Sequence, residues 1–350
     1  MMKTLRLPVF AAAALLATVA LGACGSNDSA DTSADTSGEA TGTITVYSGR
    51  SEELVKPILD QFSDETGIEI ELRAGDSGEL AALLLTEGDA SPADLFFSQD
   101  AGALGAVEDA GLFADLPEAT LSLVDPAYRS ANGTWVGTSG RARVMIYNPE
   151  LVTELPESID GLLDPSWSGK IGYAPTNASW QSFVTALRVL RGEEGARTWL
   201  EGFAANKPVA YEKNAAVRDA VNAGGVAAGL INHYYLYEKI AAEGADAVVA
   251  KNHYFTNQDP GSLVNVAGVG ILAGSDNSAA AQALVDYLLS KTGQSFFSET
   301  TFEYPLIEGV APTDGLKTLE EIDPPTIDLS DLKSIEATQE LLADVGLLTK

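Results

Sequence analysis

The residues best suited to chemistry lie in one stretch, Gly229-Leu-Ile-Asn-His-Tyr-Tyr-Leu-Tyr237. The apolar run from Val226 to Ile231 reads as a short buried strand. It ends in Asn232 and His233, then in two adjacent tyrosines, Tyr234 and Tyr235, with Tyr237 close behind. Neighbouring side chains diverge in a regular strand or helix, so two adjacent phenols converge only where regular structure ends, as at a strand-to-helix junction. Phenolate oxygen is a hard anionic ligand, and a small, highly charged cation stabilises it against the phenol's resting pKa of about 10. A ferric site is one reading of the pair. Packing of the three tyrosines in a core or an interface is the other, and the stretch alone leaves both open.

The flanking elements alternate in a way that could hold such a site. Ile44-Thr-Val-Tyr47 reads as a strand, and apolar residues at helical spacing (Leu54, Val55, Ile58, Leu59, Phe62) mark a helix from about Glu52 to Thr66. Strands at Ile68–Leu72 and Pro92–Phe97 alternate with helices at Glu79–Glu87 and from Ser98-Gln99-Asp100 to about Ala110. This order predicts a parallel sheet with helices on both faces. Ligands of such sheets sit beyond the carboxyl ends of the strands. The loops Ser48–Ser51 and Ser98–Asp100 lie there.

Val136–Tyr147, broken by Gly140, Arg141 and Arg143, reads as a strand crossing between two lobes, and Leu263–Leu272 as a second. A second α/β unit has its strand at Lys170–Ala174, the loop Pro175–Ser179 and a helix from Trp180 to Arg191. Asn177 and Ser179 stand at that helix's N-terminus, where free N–H groups and the helix dipole favour an anion, though simple capping needs the same residues. The Tyr211–Val221 region reads as helical around Asn214, Ala279–Ser290 as a helix, and Ser330 as a possible N-cap of a C-terminal helical region.

Lys3 and Arg6 precede an apolar run from Val9 to Leu21 that leads into Leu21-Gly-Ala-Cys24. This is the pattern of a secretory signal, too short to span a bilayer. It resembles the lipobox of bacterial lipoproteins, in which the cysteine is acylated. Cys24 is the only cysteine, which excludes an internal disulfide. Residues 1–23 are expected to be the signal peptide and 24–42, almost wholly Ser, Thr, Asp, Gly and Ala, a tether. The net charge is −29, and removing residues 1–23 with their two basic residues leaves −31. So acidic a surface argues against nucleic-acid binding and suits an extracytoplasmic protein.

Seven segments in order carry a resemblance: Ile44-Thr-Val-Tyr-Ser-Gly49, Pro92-Ala-Asp-Leu-Phe96, Ser139-Gly-Arg-Ala-Arg-Val144, Gly169-Lys-Ile-Gly-Tyr173, Leu230-Ile-Asn-His-Tyr-Tyr235, Asn257-Gln-Asp-Pro-Gly261 and Glu303-Tyr-Pro-Leu306. Together they resemble the bacterial ferric-ion-binding proteins, the substrate-binding subunits of iron ABC transporters, over essentially residues 43–350. The resemblance implies the two-lobe α/β fold of type II periplasmic binding proteins. Lobe 1 would be 43–141, completed by about 266–318, and lobe 2 would be 142–265, completed by about 319–350. It also implies Fe(III) ligated by Tyr234 and Tyr235. A synergistic carbonate or phosphate would lie against Asn177, Ala178, Ser179, Asn214 and Asn232, with Arg141 and Arg143 neutralising it.

Some members supply a histidine where this chain has Ser51 and a glutamate where it has Gln99. Others place an extra tyrosine where Trp180 stands. The expected shell is therefore completed by anion and water, or by Asp100 or Tyr47. His233 is a further candidate. The implied protein is monomeric, lipid-anchored outside the cell membrane, and delivers iron to a permease and ATPase. A same-fold receptor for another ligand, an organic anion or an iron chelate, is the alternative. With two histidines, one cysteine and no Gly-x-Ser-x-Gly, His-Glu-x-x-His or phosphate-loop motif, an enzyme is not expected.

Overall fold

The protein is described here from a computed structural model covering residues 42–348. The signal peptide, Cys24 and nearly all of the tether lie outside the described residues. No helix among those described is long and apolar enough to cross a membrane.

The first lobe begins β1 (Thr43–Ser48), α1 (Glu52–Thr66), β2 (Glu69–Ala74), α2 (Ser77–Glu87), β3 (Leu95–Ser98), α3 (Ala101–Asp109) and a short α4 (Glu118–Leu121). Local chemistry sets these boundaries. The side chain of Asp76 caps α2 and that of Asp100 caps α3, while Gly67, at φ 74°, returns its N–H to Ser63 and ends α1. β1 pairs in parallel with β2 and with β3. The chain then enters β4 (Trp135–Tyr147), the long crossing strand.

The second lobe contributes β5 (Ile171–Tyr173), α5 (Ala178–Ala205), β6 (Val209–Ala210), α6 (Asn214–Asn222), β7 (Ala228–Asn232), α7 (Tyr234–Glu243) and β8 (Lys251–His253). α5 runs well past the expected end near Arg191. It is two helices joined at Gly192, whose φ of 71° interrupts the helical geometry. Return to the first lobe is through β9 (Val264–Ile271), followed by α8 (Ser278–Leu288), α9 (Lys291–Glu299), a short α10 (Leu319–Ile322) and finally α11 (Ile335–Asp344).

The strand order is β2-β1-β3-β9-β4-β7-β5-β6, with β8 also pairing β4. β9 runs antiparallel to both β3 and β4, so the sheet is mixed rather than parallel throughout. β4 ties the lobes together by serving both halves. Trp135 to Ala142 pair with β9, and Arg143 to Tyr147 pair with β7. All but the last residue of β4 are buried, arginines included.

The chain's end is shared between the lobes. Leu329 and Leu332 enter the core built on β1, β3 and β9, whereas Leu341, Leu342 and Leu347 join that of α5 and β5. A short 3-10 turn, Leu329–Lys333, lies against α3 at Gly102 and Gly105. A Cβ on either glycine would come within 2.5 Å of a backbone oxygen of Leu332 or Ser330. Ser330 is not a helix cap: the Asp328 side chain caps this turn by accepting from the Ser330 N–H.

Candidate metal and anion site

β7 ends at Asn232 and α7 begins at Tyr234, so the two tyrosines occupy the helix's first positions. Their rings stack with centroids 4.4 Å apart at 29°. Tyr234 is buried and Tyr235 half-buried. Burial first, then the adjacent Tyr235, pushes the Tyr234 hydroxyl well above the usual phenol range, while Arg141 pulls it down. A metal binding here must displace a firmly held proton.

His233, between the strand and the tyrosines, is wholly buried, and both of its ring nitrogens are engaged. Nδ1 accepts the Ala142 N–H (3.1 Å), which leaves the proton on Nε2, donated to the Phe302 carbonyl (2.8 Å). Burial lowers its pKa to about 4. It is a neutral strap between β4 and the Phe302–Glu303 segment, with no lone pair left for a metal.

One cavity gathers most of the expected site. Gln99 and Asp100 reach it from the first lobe, Arg141 and Arg143 from β4, Ala178 and Ser179 from the start of α5, and Asn232 from the end of β7. Asn177 and Asn214 stand behind Ser179 in a closed network. The Asn177 Oδ1 accepts from the Ser179 N–H (3.0 Å), the Ser179 hydroxyl (2.7 Å) and the Asn214 amide (3.1 Å), and Asn214 also donates to Ser179 Oγ (3.0 Å). The capping role foreseen for Asn177 is thus filled, and Asn214 Oδ1 is left buried without a partner.

The arginines differ from each other. Arg143 donates to the Ser179 carbonyl and the Leu230 carbonyl, both at 3.0 Å, and lies over the Trp180 and Phe183 rings. It meets no carboxylate, and burial lowers its pKa to about 9. Arg141, like Arg143, has a buried Nε with no hydrogen-bond partner, but that of Arg141 lies 3.8 Å from Glu303 Oε1. Glu303 is fastened to a third buried arginine, Arg50, by a two-pronged contact of 2.9 and 2.8 Å, and also accepts from the Ser139 and Thr301 hydroxyls. These contacts hold its carboxyl below its usual pKa in spite of burial. Bidentate guanidinium–carboxylate pairing of this kind fixes geometry as well as charge.

Arg50 and Glu303 were not among the residues singled out from sequence. The available signals were the place of Arg50 in the strand-end loop Ser48–Ser51 and that of Glu303 at the head of the segment Glu303-Tyr-Pro-Leu306. Two expected first-lobe contacts are used elsewhere, and Asp100, which lines the cavity, is partly committed. Ser51 is exposed and donates to Glu53. The Tyr47 hydroxyl is engaged by Glu87 and by Arg73. Asp100 spends one oxygen capping α3, and burial raises its pKa. Trp180 is a core residue, packed on Tyr173, Phe183 and Phe203.

Residues 90–334 match the family model described as bacterial extracellular solute-binding protein. The Fe(3+)-binding periplasmic protein of Serratia marcescens is 39% identical over 308 residues, 87% of this chain and 90% of that one. The major ferric iron-binding protein of Neisseria meningitidis serogroup B is 33% identical, over 88% of this chain and 94% of that one. The crystal structure of iron-bound HitA from Pseudomonas aeruginosa superposes with a TM-score of 0.81 at 38% identity, covering 87% of this chain and 99% of that one. The chain therefore belongs to the bacterial extracellular solute-binding proteins, in the group of the ferric-ion-binding proteins. Its fold is their two-lobe α/β fold, and it is a binding protein, not an enzyme.

Proposed function

We propose that the protein is an extracytoplasmic receptor for Fe(III). The stacked pair Tyr234 and Tyr235 would bind the metal as phenolates, and a synergistic carbonate or phosphate in the adjoining arginine-lined cavity would complete the shell. The observation that carries this reading is the placement of two phenols at the start of one helix, beside the buried Arg141, with the buried Arg50 and Arg143 and only two buried carboxylates, Glu303 and Asp100, in the same region. Two phenolates cancel two of the three metal charges. Ser51 and Gln99 are neutral, so further negative charge must come from the anion. The receptor is proposed to hand iron to an ABC permease and to be anchored through an acylated Cys24, as a monomer. The lobes would close on the ligand about β4 and β9, as hinged binders do.

The test is to add Fe(III) with hydrogen carbonate or phosphate to iron-free protein and record visible absorption. Phenolate-to-iron charge transfer should colour the protein, and Tyr234→Phe and Tyr235→Phe should each weaken binding and shift or bleach the band while leaving the fold intact. Colourless protein that takes up no iron, or binding untouched by both substitutions, rejects the ferric reading.

A further inference from the structure

Resting on that ferric reading, we propose that Arg218 is a positioning residue for Tyr235, holding that phenol in register with Tyr234 and with the cavity through the main chain of α7. Adjacent side chains diverge in a helix, so the two rings converge only as long as the first turn of α7 keeps its shape. That turn has no side-chain cap: His233 stands at the N-cap position, and its ring is engaged by Ala142 and Phe302. Helix ends left without caps fray. Here two side chains from neighbouring elements take the carbonyls on either side of the pair instead. The Asn252 amide, from β8, donates to the His233 carbonyl at 2.8 Å, and Arg218 Nη1, from α6, donates to the Tyr235 carbonyl at 3.2 Å.

The two tyrosines do not depend on these holds equally. Tyr234 is buried, and its ring meets the His233 ring edge-on with centroids 5.8 Å apart. Tyr235 is half-buried, stacks on Tyr234, and has its carbonyl gripped by Arg218. The grip is itself held. The Arg218 side chain is 14% exposed, and Asp219 takes its Nε at 2.9 Å and its Nη2 at 3.3 Å, which leaves Nη1 for α7. Nη1 also lies 3.7 Å from Glu238, one turn beyond Tyr234, and Asp219 in turn meets Lys239 of α7 at 3.1 Å. α6 is seated to keep a distance: Val217 lies against Gly229 of β7 so closely that there is no room for a Cβ. Asn214, one turn before Arg218 on the same face of α6, belongs to the network of Asn177 and Ser179 behind the cavity. One helix thus holds both the cavity wall and the Tyr235 backbone, and it sets the spacing between them.

The decisive variant is Arg218→Met in the full chain, which keeps the apolar stem and loses the donors. Asp219 retains Lys239, and both Asp219 and Glu238 reach solvent, so no charge is stranded in the core. Arg218→Lys is the conservative variant and carries the same comparison should Arg218→Met not fold. Loss of a group behind a metal ligand costs about 10–100-fold in metal affinity. With Fe(III) and hydrogen carbonate, read by visible absorption under competition with a chelator, Arg218→Met should weaken iron binding about tenfold or more and shift the phenolate band, with Arg218→Lys between. Because the effect runs through Tyr235, it should vanish in a Tyr235→Phe background and persist in a Tyr234→Phe background. A loss of equal size in both backgrounds, or folded Arg218→Met with wild-type affinity and band, overturns the proposal. A second measurement needs no iron: NMR with isotope-labelled tyrosine rings, Tyr235 being identified by its absence in Tyr235→Phe. In Arg218→Met its signals should move while those of Tyr173, in the core of α5 and β5, stay. Unmoved Tyr235 signals overturn the proposal. Wild type that stays colourless and takes up no iron, with Tyr235 signals that do move, sinks the ferric reading and leaves the hold of Arg218 on Tyr235 standing.

Discussion

Acid should weaken the iron-free fold through His233. The ring is buried between the Ala142 N–H and the Phe302 carbonyl, and its pKa is lowered from 6.5 to about 4. Burial is the main cause. Glu303 and the bond donated to the Phe302 carbonyl pull upward, and Arg141 pushes down further. Because the folded pKa lies below the unfolded one, the unfolded chain takes the proton first. The stability is whole above pH 6.5 and is lost as pH falls through about 4. At 1.36 kcal/mol per unit, the loss attributable to this ring is about 3 kcal/mol, with a slope of up to ~1.4 kcal/mol per pH unit inside that window. The perturbation is His233→Gln, and the assay is denaturant unfolding followed by tryptophan fluorescence at pH 7.5, 6, 5 and 4. The variant strands one or two backbone groups and should be less stable at pH 7.5 by about 1–3 kcal/mol for each. The informative quantity is the change with pH: the gap should shrink by about 3 kcal/mol on going to pH 4. Glu303 and His253, whose lowered pKa values also make acid destabilising, titrate in both proteins and cancel. Parallel stability curves for wild type and variant down to pH 4 would refute a neutral, buried His233.

Iron binding should depend on pH in the same direction for a different reason. Each phenol gives up a proton to the metal, so the log of the apparent affinity should fall by about two per pH unit well below the phenol pKa values, and a pH titration of the visible band checks it. Gln99→Glu places a carboxylate at the cavity beside Arg141. It should supply part of the charge otherwise brought by the anion, so that colour develops with iron alone where wild type needs added carbonate or phosphate, measured by iron titration with and without anion. Gly105→Ala would set a methyl 2.5 Å from the Ser330 carbonyl, and overpacking of this kind costs about 1–3 kcal/mol, so calorimetry should show Tm lower by a few degrees.

The alternating pattern was legible because each half-buried strand and amphipathic helix of the first lobe carries its own period, from Ile44 to Ala110. Chain reversal in space was harder. β9 is a plain apolar run, and nothing in it says that it pairs antiparallel to both β3 and β4. The tyrosine pair stood out as two adjacent phenols after a strand, but the stretch alone left a core role open, and the resemblance carried the metal reading. Ser51 was weighed because it stands where the resemblance implies a histidine, and Tyr47 as a substitute for the missing ligand, yet one side chain is exposed and bonds to Glu53 and the other faces Glu87. Arg50 and Glu303 were missed because their partnership spans more than 250 residues, and no local rule pairs two charges so far apart. Long-range ion pairs leave no period in a sequence.

The shared tail has a consequence for how the chain folds. Leu329 and Leu332 complete a core whose other members begin at Ile44, and the turn that carries them lies against α3. During synthesis the first lobe can form its β1–β3 sheet early but cannot close until the last few dozen residues have left the ribosome. Contacts of such high sequence separation form slowly. Until then, part of an apolar face stays open to water and available to chaperones. Late closure of this kind lengthens the time that the face stays open.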